Sequence, residues 1–115
     1  MTAGMIVQLP VTVAFGTDEE FDLRVRLEGE LTTALTAVGA GQCVSSDIDT
    51  AHMNLHLGGI ADPISTLNVA KTVLARAGLL NRAVIVLETR SKADPDDPTL
   101  QILWPLNHSN VARSA

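Results

Sequence analysis

Residues 42 to 90 admit few ways of folding. Gln42 to Leu57 reads as two short strands meeting near Asp49-Thr50, and Arg82 to Thr89 is a short run rich in valine and isoleucine. Between them, Asp62-Pro63 and Gly78 bracket a helix. Asp62 accepts hydrogen bonds from free backbone N–H groups as N-cap, Pro63 suits the first helical position, and Gly78 suits a left-handed C-cap. A polar hairpin followed by strand–helix–strand is thereby expected.

The N-terminal third supplies the matching half. Met5 to Phe15 alternates, with Val7, Leu9, Val11, Val13 and Phe15 on one face and Gln8, Thr12 and Ala14 on the other, so one strand is expected over this stretch. Gly16-Thr17 ends it, and Asp18, Glu19 and Glu20 place negative charge where a helix start favours it. Phe21, Leu23, Val25 and Leu27 alternate like a strand. Leu23, Leu27, Leu31, Ala34 and Val38 instead share a helical face for about four turns, and Gly39 and Gly41 close it. The longer pattern predicts a helix from Asp18 to Val38. The second helix has its own stripe in Leu67, Ala70, Val73, Leu74 and Ala77. After the polar loop from Ser91 to Pro98, Thr99 to Trp104 reads as a fifth strand, with Leu100, Ile102 and Trp104 on one side and Leu103 on the other.

The expected fold is therefore α+β, a ferredoxin-like β-α-β-β-α-β chain with an added C-terminal strand. Right-handed crossovers put both helices on one face of a mainly antiparallel sheet and leave the other face bare. Residues 1–106 form one domain in this reading, and 107–115, polar and without period, form a flexible tail.

Composition narrows the function. The net charge is −5, divided as −6 over residues 1–60 and +1 over 61–115. An acidic chain without a basic cluster is a poor partner for nucleic acid or an anionic membrane. A base-stacking sheet face is also not expected, because only 3% of the residues are aromatic. The lone Cys43 excludes an internal disulfide framework and a four-cysteine zinc site. The first ten residues lack a basic leader region, Pro10 interrupts their apolar stretch, and no run reaches the ~18 apolar residues of a membrane span. Cytoplasmic location is the expectation.

Leu27-x₃-Leu31-x₃-Leu35-x₃-Gly39-Ala40-Gly41, the acidic hairpin, Leu57-Gly58-Gly59 and Asp62 ahead of the second helix occur in that order, followed by AVIVLETRSKADPDDPTLQILWPL. Over residues 5 to 106 the chain resembles small uncharacterised bacterial ferredoxin-like-fold proteins. Their hairpin is glycine-rich, whereas this one reads Ser45-Ser46-Asp47-Ile48-Asp49-Thr50. The resemblance implies the fold and carries over no catalytic residue.

The densest set of polar side chains lies in the hairpin. A two-residue turn at Asp49-Thr50 pairs Asp47 with His52, Ser45 with Asn54 and Cys43 with His56. Met53, Leu55 and Leu57 then take the core face and leave the polar side chains on the bare one. Cys43, Asp47, His52, Asn54 and His56 are the candidate ligand-binding residues, and Cys43, Asp47 and the two histidines are competent ligands for zinc or a similar ion. Alternation alone also puts polar residues on a solvated face, and histidines at this spacing carry no established metal motif. The two histidines are accordingly expected to face solvent with no bound metal or cofactor. A Cys43–His56 nucleophile pair lacks any visible oxyanion hole. Gly58-Gly59 reads as a turn needing positive φ, and the acids Asp94, Asp96 and Asp97 lack the distal glutamate of a calcium loop.

The loop Phe15-Gly16-Thr17-Asp18-Glu19-Glu20 is acidic where an acylphosphatase-like site needs an arginine, and Gly16 alone matches the glycine of an amino-acid-binding domain of the ACT type. The function expected is a non-enzymatic protein-interaction domain that forms a homodimer and meets a protein partner. A small-ligand or metal-binding regulatory domain, ACT-like, is the alternative, and an enzyme using the hairpin histidines is the third reading. The homodimer follows from β-strands that are apolar on both sides: Val84 and Val86 oppose Ala83, Ile85 and Leu87. The bare sheet face or an edge strand would carry the contact, unless the C-terminal tail folds back over it.

Overall fold

The computed structural model describes residues 2–90 and 96–105. The chain runs β1 (Thr2–Pro10), α1 (Asp18–Ala37), β2 (Gln42–Ile48), β3 (His52–Gly58), α2 (Pro63–Arg76), a 3₁₀ turn (Leu80–Arg82), β4 (Val84–Arg90) and β5 (Thr99–Trp104). The fold is α+β, with two helices and a five-stranded sheet of order β2-β3-β1-β4-β5 in which every neighbouring pair is antiparallel. The expectation of a tail over 107–115 lies outside the described residues, as does most of the loop before β5.

Both helices face one side of the sheet. Leu27, Leu31 and Leu35 of α1 and Ala70, Val73 and Leu74 of α2 join Met5, Val7 and Leu9 of β1, Met53, Leu55 and Leu57 of β3, and Ile85 of β4 in a single core. The three leucines of α1 are fully buried, whereas Phe21 and Val25 are 53% and 54% exposed. The helical period therefore wins over the alternation that competed with it.

The helix ends follow their sequence signals. Thr17 and Glu20 form a capping box, Thr17 Oγ1 accepting from Glu20 N at 3.1 Å and Glu20 Oε1 from Thr17 N at 2.8 Å. Asp62 caps α2, accepting from Ile64 N at 3.1 Å and from Ser65 Oγ at 2.8 Å. Thr66, fully buried on α2, donates to Ala40 O at 2.6 Å and so ties α2 to the chain leaving α1.

Two expectations fail at strand ends. The first strand stops at Pro10 rather than Phe15, since proline has no N–H to continue a ladder. Residues 13–16 instead form a tight turn closed by Gly16 N to Val13 O at 2.9 Å, with Phe15 at φ 62° and 67% exposed. In β5, Trp104 pairs with Ile85 while Ile102 pairs with Val86, so Leu103 is a bulged extra residue. The bulge turns Trp104 away from Ile102 and Leu100 and toward the helices. Its Nε1 donates to Leu80 O at 3.0 Å, and the Lys71 ammonium sits 4.4 Å from the ring centroid.

Candidate functional site

The sheet face away from the helices is read from the strand registers. One row crosses all five strands: Ile102 (β5), Val86 (β4), Ile6 (β1), His56 (β3) and Ser45 (β2). The next row is Val84, Gln8, Asn54 and Asp47. The face is thus divided. It is aliphatic at Val84 and Val86 of β4, Ile102 of β5 and Ile6 of β1, with Glu88 next along β4, and polar at Gln8 of β1 and over these rows of β2 and β3. Ile6, Val84, Val86 and Ile102 are half-buried and none of them packs against the core.

The polar half is built by the hairpin turn. Asp49 Oδ1 accepts from Ala51 N at 2.8 Å and His52 N at 2.7 Å, while Asp49 N donates to His52 O at 2.9 Å. This carboxylate-capped turn centres on Thr50-Ala51, one residue later than expected. Ser45 therefore faces His56 and Asp47 faces Asn54. The expected pairs Asp47–His52, Ser45–Asn54 and Cys43–His56 do not form.

Cys43 leaves the set altogether. A bulge at Val44 lets Cys43 face Leu57, and the cysteine packs against the core with its N–H donating to Thr32 Oγ1 of α1 at 3.1 Å. Burial pushes its thiol pKa up, and the Glu28 carboxylate pushes the same way. A thiol so placed is a weak nucleophile and a reluctant metal ligand.

Asn54 is the centre of what remains. It is 7% exposed and uses its whole amide: Nδ2 donates to Asp47 Oδ1 at 2.8 Å and Asp49 Oδ2 at 3.1 Å, and Oδ1 accepts from Gln8 Nε2 at 3.0 Å. His56 Nε2 lies 3.0 Å from Asp47 Oδ2, and His52 is exposed beside the turn. The Asn54 amide holds the Asp47 carboxyl below its ordinary pKa, with His56 acting in the same direction and Asp49 against it. The backbone N–H groups of Ala51 and His52 lower Asp49 in the same way.

Gln8 and Asp49 were not among the sequence candidates. Gln8 was legible as the one amide on the polar side of β1, and Asp49 as the acid preceding a turn. The network satisfies itself, and among the described residues no buried side-chain polar atom lacks a partner. No group of three or more His, Cys, Asp or Glu among them is placed to hold a metal ion.

The loop between β1 and α1 is likewise filled from within. Glu20 Oε2 accepts from Thr12 N at 2.9 Å and Thr12 Oγ1 at 3.2 Å, while its other oxygen takes Thr17 N. These N–H groups hold the chain's own carboxylate in the place where an anionic ligand would bind. Among the described residues no helix is long and apolar enough to cross a membrane.

No family model matches the chain, and no curated protein matches it. Among solved structures, a chain in the crystal structure of A. aeolicus tRNASec in complex with M. kandleri SerRS resembles it with a TM-score of 0.43 and 13% identity. That match covers 99% of this chain and 29% of the other, a likeness too distant to bear on function.

Proposed function

We propose that this chain is a ferredoxin-like, non-enzymatic interaction domain, cytoplasmic in setting, that pairs with a second copy of itself through the uncovered sheet face. The single observation behind this reading is the aliphatic half of that face, where Ile102, Val86 and Ile6 stand side by side across three strands with Val84 beside them. A solvated antiparallel face ordinarily alternates to polar residues there. An apolar patch rimmed by polar groups marks a contact surface, and two-fold pairing is the commonest closed arrangement for it. The strand order β2-β3-β1-β4, with both helices on one side, supports the ferredoxin-like reading, and β5 extends that sheet at β4.

Light scattering at micromolar concentration tests the pairing. A dimer mass is expected, and Val86→Asp is expected to halve it while leaving the far-ultraviolet dichroism intact. A mass near the single chain's 12.2 kDa rejects the proposal. A monomer that begins to associate when residues 107–115 are removed instead assigns the cover to the chain's own C-terminus.

A ligand-binding regulatory domain is the second reading, favoured by the Asp47–Asn54–His56 network on the same face. About one zinc per chain by elemental analysis, lost in His56→Ala, would carry the decision to that reading.

A further inference from the structure

On the outer surface of the helix layer, away from the sheet, a groove of about 640 Å³ runs between α1 and α2. Val25, Ala34 and Ala37 of α1 and Val73 of α2 give it apolar walls, and Gly29 opens its middle. Beyond Ala34 and Arg76 it continues into a shallower recess of about 350 Å³ that reaches Val38 and Val69. The volume is that of a small-molecule site.

Two features indicate what the groove suits. Gly29 sits inside a twenty-residue helix, where glycine costs ~1 kcal/mol relative to alanine. A Cβ built there meets nothing within 4 Å, so packing inside the chain does not require glycine. What its missing side chain preserves is the opening of the groove.

The second feature is charge. Arg76 lines both recesses and has no ion pair or hydrogen bond among the described residues. Arg26 reaches Glu30, the one carboxylate of the groove, only at 3.9 Å. In a chain of net charge −5, this groove thus carries two guanidinium groups against one acid. Guanidinium donors match a carboxylate in a planar, two-point contact.

We infer that the groove between α1 and α2 binds a small amphiphilic carboxylic acid, its apolar body along Val25, Gly29 and Ala37 and its carboxylate on Arg76. The site lies on the opposite side of the molecule from the proposed pairing face and does not depend on it.

Dodecanoate, kept below its micellar concentration, is the probe, titrated into the full chain by calorimetry and by amide chemical shifts. One molecule per chain is expected to bind saturably, with shifts centred on residues 25–37 and 69–76. Arg76→Leu is expected to weaken binding about tenfold or more, the loss of a charge-assisted contact. Gly29→Leu is expected to abolish binding while holding or raising the melting temperature, because leucine is the better helix former. The inference is overturned by unsaturable binding, by undiminished affinity in either variant, or by shifts centred on Ile6, Val86 and Ile102 instead.

Discussion

His56 Nε2 stands 3.0 Å from Asp47 Oδ2, diagonally across the β2–β3 pair, and Asp47 spends its other oxygen on the Asn54 amide. The residue directly opposite His56 is Ser45. Asp47 thus joins the directly opposed Asn54 to the diagonal His56, and its pKa is lowered first by Asn54 and then by His56.

A carboxyl whose folded-state pKa lies below its unfolded value stabilises the fold above the unfolded pKa. That contribution is lost as pH falls through the folded one. Asp47→Asn is thus expected to lower stability at pH 7 and to flatten the fall below about pH 4. Asp49 and Glu20, whose pKa values are shifted the same way by backbone N–H groups, keep part of the acid sensitivity in the variant. Urea unfolding at pH 7 and pH 3 measures the difference, and an unchanged gap between the two pH values removes Asp47 from this role.

Leu31 and Leu74 are fully buried where α1 and α2 meet the sheet. Leu31→Ala and Leu74→Ala should each destabilise by ~2–5 kcal/mol, the transfer cost plus a cavity. Denaturant midpoints at constant slope give the value, and a loss under about half a kcal/mol at both sites contradicts the core assignment.

Thr66 is a buried hydroxyl with a specific duty, donating to Ala40 O. Thr66→Val keeps the shape and removes the donor, leaving a carbonyl without that partner at a cost of ~1–3 kcal/mol. Thr66→Ser restores the donor and should recover much of that loss. A valine variant as stable as the parent, with a destabilised serine variant, would point to packing of the methyl group instead.

Phe15 combines a left-handed backbone with a phenyl ring that is mostly in solvent. Folding gains little from either. Phe15→Gly relieves a conformation that costs a side-chain-bearing residue ~1–2 kcal/mol, offset in part by glycine's larger unfolded-state entropy. The net expectation is a small rise in melting temperature, and a fall would show that the ring contributes packing.

The helices and their stops were legible in the sequence because each is specified locally: Thr17 and Glu20, Asp62 and Pro63, and leucines spaced four apart. What was not legible depended on single-residue events between strands. The turn moved from Asp49-Thr50 to Thr50-Ala51 because the Asp49 carboxylate caps two N–H groups, a choice that spacing alone does not reveal. The bulges at Val44 and Leu103 then moved Cys43 and Trp104 to the helix side, since side chains alternate and one extra residue exchanges the faces. The faces of β3 fall as the sequence predicts, because Met53, Leu55 and Leu57 fix the alternation. The expected register of β2 fails, because no comparable apolar run fixes it there.

Those two bulges have a further consequence. They fall on β2 and β5, the outermost strands at either side of the sheet. A strand adding from outside needs an evenly spaced ladder of free N–H and C=O groups, and a bulge breaks that spacing and twists the edge away. Both flanks of the sheet are therefore poor templates for ribbon-like growth. For the pairing proposed above, this favours the broad face, where one partner completes the contact, over the edges, where addition has no natural end.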